Sequence, residues 1–300
     1  MRTWDEFMDH RAAGKEKSVP WFLHDKLRCY RFLENRGLPA PRVLAIFNDP
    51  SEIDLDQFEP PFVLKPTLQS SMKGVLVLAD KEGDRYRDAL RGNLLSIDEI
   101  IEEQKRRYDE TTAAGKKIIV EALVKDADGQ GIPYDYKAYA FRGEIFLMVK
   151  IDRNSKPTRT SWFDGDFNQV RDGRVAYDAR FTNESDVAPQ AGKALLDLAR
   201  KTSVAVPSPF ARIDMFNSTD GPLVGEITLV PGGLYRGKID RLSKTSQILM
   251  ASMWHSALKN IEGEKDGIAR SAYGCPLWAC DEEMRSAVER EFVGAHNCVI

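Results

Sequence analysis

The sequence predicts an α+β fold. Helical stretches with a 3.6-residue apolar period and strand-like runs follow one another without regular βαβ alternation. Two antiparallel hairpins are written into the chain, one turning at Arg142-Gly143 and one at "NSTDG", residues 217–221. The composition, 42% hydrophobic and 30% charged over 300 residues, is that of an ordinary globular protein with one large core or two moderate ones.

In chain order, "DKLRCYRFLENR" (25–36) reads as a helix with Leu27, Tyr30 and Leu33 inward, stopped by Gly37 and the prolines at 39 and 41. "FVLKP" (62–66) and "GVLVLAD" (74–80) are strand-like runs joined by the polar "TLQSSMK". "SIDEIIEEQKRRYDE" (96–110) is an amphipathic helix with Ile97, Ile100, Ile101 and Tyr108 on its apolar face. "KKIIVEALV" (116–124) is a buried strand, and "YDYKAYAFRGEIFLMVKIDR" (134–153) is the first hairpin. Helices are expected near 187–201 (Ala191, Ala194, Leu195, Leu198), 245–259 (Met250, Met253, Trp254, Ala257, Leu258) and 281–293, with the second hairpin at 210–230. No internal repeat or low-complexity linker is visible. The expected division is an N-terminal segment and helix (1–57), two α+β subdomains (58–125 and 126–260) and a C-terminal helical segment (261–300).

Several classes of function are disfavoured. A net charge of −3 and a pI near 5.9 give no reason to expect nucleic acid. No apolar run approaches the roughly 18 residues that would insert in a membrane, and the first 20 residues lack a signal-peptide core. Four cysteines (29, 275, 280 and 298) form no disulfide framework and suit a reducing, cytoplasmic setting. The terminal "NCVI" is out of register for prenylation. The four histidines (10, 24, 255, 296) show no metal spacing, and Cys275 and Cys280 lack a second pair and read as buried thiols. Trp254 with its neighbouring methionines reads as core. Trp162 reads as a loop aromatic that either lines a cleft or packs.

"GEITLVPGG" (225–233) places polar residues in an apolar strand. A period of two puts Val224, Glu226, Thr228 and Val230 on one face and Ile227 and Leu229 on the other. A buried carboxylate needs a cation or strong donors, so the strand is at a wet edge or Glu226 faces positive charge. A hairpin register centred on Asp220 sets Asp214 opposite Glu226 and Arg212 opposite Thr228. Facing carboxylates repel, and a hard divalent cation would remove the repulsion. The alternative is a half-solvated hairpin whose acids face water.

Lys65 is the only charge in "PPFVLKP", either directed at a ligand or guarding a sheet edge. Lys26 follows Asp25 at a helix start, where the dipole does not favour it, and is otherwise a surface lysine. Asp135 and Lys137 share a strand face, and a two-residue turn at 142–143 would bring Lys150 opposite Asp135, which is also the geometry of a plain ion pair. With the "SSMKG" loop (70–74), these are the groups a polyphosphate and Mg²⁺ require.

Taken together and in order, "DK" (25–26), "FVLKP", "IIVEALV" (118–124), "YDYKAYAFRGE" (134–144), "ARIDMF" (211–216) and "GEITLVPGG" resemble the ATP-grasp superfamily. They are most similar to its TupA-like branch, named for teichuronopeptide synthesis, over about residues 22–260. The resemblance implies an ATP-grasp fold of two α+β subdomains holding ATP between antiparallel sheets, with a much reduced N-terminal domain. It implies a ligase that joins a carboxylate to an amine through an acyl-phosphate, with ATP and Mg²⁺ as cofactors. Lys26 and Lys65 resemble the phosphate-contacting lysines, and Ser70, Ser71, Lys73 and Gly74 the phosphate-covering loop. Glu121 resembles the acid near the adenine amino group, with backbone of Ala122 and Leu123 on the ring edge, and Asp135 the ribose acid. Lys137, Lys150 or Arg153 would approach the phosphates or the acyl donor. Asp214 and Glu226 resemble magnesium ligands, and Arg212 the arginine that steadies the oxyanion. Tyr235, Arg236 and Lys238 of "PGGLYRGK" would border the substrate.

Three departures stand out. Thr228 occupies the place of the usual metal-site asparagine, and the phosphate loop carries only Gly74. About 25 residues precede the helix that begins with Lys26, so the acceptor site is expected to be open, or completed by the C-terminal segment or the second subunit of a homodimer. An open site suits a glycan, cell-surface polymer or peptide acceptor. Two alternatives are a kinase that phosphorylates a hydroxyl on the same fold, and a non-catalytic nucleotide-binding protein in which Thr228 marks a decayed metal site.

Overall fold

A computed structural model of the protein describes residues 2–237 and 240–265. Helix α1 (Trp4–Ala12) opens with a capping box in which Thr3 and Glu6 satisfy each other's backbone N–H groups. Helix α2 (Lys26–Glu34) is capped by Asp25 and precedes strands β1 (Val43–Phe47), β2 (Phe62–Pro66), β3 (Leu76–Glu82), β4 (Arg85–Asp88) and β5 (Asn93–Leu95). Helix α3 (Ile97–Asp109) carries a second capping box, Ser96 with Glu99, and leads to β6 (Ile118–Ala122). Strands β7 (Asp135–Phe141), β8 (Glu144–Asp152), β9 (Arg159–Phe163) and β10 (Val175–Ala176) precede α4 (Gly192–Ala205). Strands β11 (Ala211–Ser218) and β12 (Gly221–Thr228), α5 (Gly232–Arg236), β13 (Arg241–Leu242) and α6 (Lys244–Lys265) follow. The α+β expectation holds. The expected helix at 281–293 and Cys275, Cys280, Cys298 and His296 lie outside the described residues.

The chain forms two compact units that are discontinuous in sequence, where the sequence suggested consecutive segments. One comprises Phe22–Tyr134 and Phe216–Glu226, the other Met1–Trp21, Asp135–Met215 and residues from Ile227 onward. Strands β11 and β12 therefore each pass from one unit to the other.

The first unit contains a six-stranded sheet in the order β1-β6-β2-β3-β4-β5. Phe62, Leu64, Leu76, Leu78, Ile118 and Val120 alternate onto one face and meet Ile100 of α3 in a buried cluster. Strand β2, flanked by β6 and β3, is central, so all five of its residues are buried.

The second unit is built on a five-stranded sheet, β12-β11-β7-β8-β9. The first hairpin turns where expected: Arg142 (φ 49°) and Gly143 (φ 101°) supply the positive angles that a two-residue turn needs. The register beyond it differs from a regular ladder. Phe141 faces Glu144 and Ala140 faces Ile145, but Tyr139 faces Leu147, so β8 carries one extra residue as a bulge.

Residues 1–21 are integral to this second unit. Trp4, Phe7 and Met8 enter its core with Phe210, Met250 and Trp254, and Phe7 stacks on Trp254 at 4.9 Å. Arg11 is 0% exposed. Its guanidinium donates to Phe210 O (3.0 Å), Leu229 O (2.9 Å), Ser208 Oγ (3.0 Å) and Glu16 (2.6 and 2.9 Å), with Trp254 beneath it at 4.3 Å. One buried cation thereby holds the residue before β11 and the residue after β12.

Arg11→Ala would strand those carbonyls and Glu16 without their donor. We expect a loss of about 3 kcal/mol or more in chemical denaturation, with Arg11→Lys intermediate.

Candidate active site

Of the predicted cofactor residues, Lys26, Lys65 and Glu121 come together in the six-stranded unit. Asp25 accepts from Arg28 N at 2.9 Å and caps α2, which places Lys26 in the first helical turn. Lys26 is buried rather than solvated, and its Nζ donates to Gln69 O at 2.6 Å and lies 4.0 Å from Glu226. Burial lowers its pKa, with Lys65 adding to the effect and the nearby carboxylates opposing it. Lys65 is no edge-strand guard: it lies in the central strand, and its Nζ donates to Glu121 Oε1 at 2.6 Å and to the Tyr30 hydroxyl at 3.0 Å. Glu121, on neighbouring β6, also accepts from that hydroxyl at 2.9 Å. The Ala122 N–H is committed to Arg42 O (2.9 Å), and Leu123 is half-buried.

The loop after β2 shows why position 74 is a glycine. Ser70 to Lys73 is exposed and closes a tight turn, Lys73 N donating to Ser70 O at 3.2 Å, with Ser71 (φ 58°) and Met72 (φ 63°) both left-handed. Such angles cost non-glycine residues free energy, and they cluster at functional loops. Gly74 (φ 71°) is required sterically, since a Cβ there would lie 2.9 Å from Pro66 Cγ. Helix α3 ties both ends of the loop. Gln104 donates to Gly74 O (2.9 Å), and Arg107 O accepts from Gln69 (2.7 Å).

Glu226 answers the question posed by its strand on both counts. Strand β12 is at the sheet edge, Ile227 and Leu229 are fully buried, and the half-exposed Glu226 lies near a lysine.

In the five-stranded unit a second charged cluster forms. Lys137 donates to Asp214 (2.5 Å) and Asp135 (2.8 Å), and Arg153 lies 3.0 Å from Asp135. Arg212 donates to both Asp214 oxygens at 2.6 Å and to Thr228 Oγ1 at 3.0 Å. This last bond brings the Arg212 and Thr228 side chains together. Asp135 Oδ1 is buried and accepts no hydrogen bond among the described residues. Among the described residues the cluster holds three cations against two carboxylates, all largely withdrawn from water.

Lys150 is the correction. The bulge in β8 sets Asp135 opposite Ile151 and Lys150 opposite Tyr136 and Ser161. A one-residue slip turns the side chain to the other face of the sheet. There Lys150 meets Asp186 at 3.1 Å, and Asp186 also accepts from Ser161 (2.6 Å). Trp162 is a strand residue packed in the core. Tyr235, on α5, donates to Asp9 and lies against Trp4 (6.4 Å), and Arg236 sits over the Tyr235 ring. Lys238 lies outside the described residues. Tyr30 was legible only as an inward-facing aromatic. The available signal was that it stands four residues after Lys26 on one helix face, with a polar tip that needs a partner when buried.

A model of the TupA-like ATP-grasp family matches residues 8–251. No curated protein matches the sequence. Among solved structures, D-alanine–D-alanine ligase from Bacillus anthracis is 15% identical, with a TM-score of 0.49 over 81% of this chain and 70% of that one. L-amino acid ligase from Bacillus licheniformis is 14% identical, with a TM-score of 0.48 over 86% and 55% of the two chains. ATP-grasp ligase PsnB complexed with minimal precursor is 12% identical, with a TM-score of 0.44 over 84% and 67%.

Burial opposes ionisation of Asp135, but Lys137 and Arg153 outweigh it and hold its pKa below the ordinary carboxylate value. Such a group contributes stability that is present above its unfolded value near about 4 and is lost as the pH falls through its folded value. Asp135→Asn should therefore flatten the fall in urea-denaturation stability below about pH 4.

Proposed function

The chain belongs to the TupA-like ATP-grasp family, and from that premise we propose that it is an ATP-dependent carboxylate–amine ligase. The observation that carries this reading is the cluster of Lys137, Arg153 and Arg212 around Asp135 and Asp214. A buried excess of positive charge calls for an anion, and phosphoryl and carboxylate groups are the anions of this chemistry.

In the proposed reaction a carboxylate oxygen attacks the γ-phosphorus of ATP and the bond to ADP breaks. The amine then attacks the acyl carbon, loses a proton, and expels phosphate. Lys26, Lys65 and the Ser70–Gly74 loop would hold phosphate oxygens. Glu121 with the backbone at Ala122 and Leu123 would meet the adenine edge. Asp135 would accept from the ribose hydroxyls, and its unpartnered Oδ1 supports that role. Lys137 and Arg153 stand beside it with charge to balance the polyphosphate. Arg212 would stabilise the oxyanion that develops during amine attack. Its fork is fixed by Asp214 and Thr228, so little reorganisation is needed in the transition state.

Asp214, Glu226 and Thr228 offer oxygen donors alone, which suits Mg²⁺. Bound there, the ion would neutralise charge on the phosphoryl oxygens. The amine and carboxylate are proposed to belong to a glycan, a cell-surface polymer or a peptide precursor.

Two measurements test the reading. Glu226→Gln should fold and lose ATP turnover about a hundredfold or more. With a carboxylate found by screening ADP release against amino acids, uronic acids and short peptides, hydroxylamine should give a hydroxamate that depends on ATP and Mg²⁺ and falls with Arg212→Ala. A stable phosphorylated product without hydroxamate or free phosphate would identify a kinase instead.

A further inference from the structure

We propose that Tyr30 is a positioning residue of the nucleotide site, its phenol fixing the Lys65 ammonium and the Glu121 carboxylate in the arrangement that receives ATP. The inference rests on the ATP-binding reading above and adds a residue with a defined part in it.

Three side chains from α2, β2 and β6 close a hydrogen-bonded ring. Lys65 Nζ donates to Glu121 Oε1 at 2.6 Å and to Tyr30 Oη at 3.0 Å, and Tyr30 Oη donates to Glu121 Oε2 at 2.9 Å. Chemistry forces these directions. An ammonium has donors only, so the phenol accepts from Lys65 and its single hydrogen goes to the carboxylate. Two of the three Lys65 N–H groups are thus assigned, and the third is the one a phosphate oxygen would take. Glu121 is held at both oxygens, so it cannot rotate to follow the lysine. All three residues are buried, where each of these bonds is stronger than it would be in water.

The backbone fixes the ring as firmly as the side chains do. Lys26 N donates to Thr67 O at 3.0 Å, which fastens the start of α2 to the residue after β2. One turn later the same helix face presents Tyr30. Burial and the Glu121 charge push the Tyr30 pKa well above its ordinary value, so the phenol keeps its proton.

Without the hydroxyl, Lys65 and Glu121 still pair, and a phenyl ring fills the same space. Glu121 Oε2 loses its phenol donor in the folded state. The Lys65 ammonium also loses the acceptor that fixes its rotation, so the N–H a phosphate would take is no longer held in one direction. The loss of orientation therefore falls on nucleotide binding, beyond the loss of stability.

Calorimetric titration of MgATP into the wild type, Tyr30→Phe, Lys65→Gln and the double variant, with the Tm of each, tests this. Lys65→Gln still donates to Glu121 and so should fold. Tyr30→Phe should lower the Tm modestly, stay folded at the titration temperature, and weaken ATP binding about tenfold. Lys65→Gln should weaken it further, and the double variant should bind no worse than Lys65→Gln, because Tyr30 acts through that lysine. Wild-type affinity in Tyr30→Phe, fully additive losses in the double variant, or a fall in Tm that accounts for the lost affinity would each overturn the positioning role. Absence of ATP binding by the wild type would instead overturn the nucleotide reading on which it rests.

Discussion

A cation withdrawn from water must find fixed acceptors, and each unit of this protein is arranged around one. In the six-stranded unit it is Lys65, in the five-stranded unit Arg11. Removing either charge's partners would cost several kcal/mol, far more than a surface ion pair is worth. The acceptors come from distant parts of the chain: α2 and β6 for Lys65, and the segments flanking β11 and β12 for Arg11. Satisfying these charges sets the positions of the elements that carry the candidate site. Lys26 arrives with Tyr30 on one helix, and Arg212 and Thr228 arrive on strands whose outer ends Arg11 holds.

The two charged clusters differ in kind. Around Lys65 the ammonium is balanced by Glu121 and held at a fixed angle, an arrangement suited to orientation. Around Asp135 and Asp214 three cations share two acids, an arrangement suited to holding further negative charge. The loop from Gln69 to Gly74 has a third character: its ends are tied to α3, while its tip is exposed and carries two left-handed non-glycine residues.

Thr228 has a structural part that needs no ion. An asparagine would offer an amide oxygen at that position, whereas threonine offers a hydroxyl, and here the hydroxyl accepts from Arg212. The residue thus steadies the arginine next to Asp214 whether or not it touches an ion.

The sequence by itself determined the α+β class, most helices and strands, the turn at Arg142-Gly143, and the shared face of Asp135 and Lys137. These are local matters: apolar period, caps and turn angles depend on neighbours a few residues apart. It also marked Lys65 and Glu226 as charges out of keeping with their strands, because a charge in an apolar run is visible without knowing its partner. Only the tertiary structure decided who those partners are. That Lys65 is central rather than at an edge follows from strand order, and that Tyr30 completes its ring follows from where α2 docks. Lys150 turned away from Asp135 because one extra residue in β8 reverses the side-chain alternation, and no local pattern announces a bulge. The interleaving of the two units was equally hidden, since residues 1–21 join the later part of the chain through the buried Arg11 and Trp4. Partner, face and strand order depend on long-range packing, which a linear pattern does not encode.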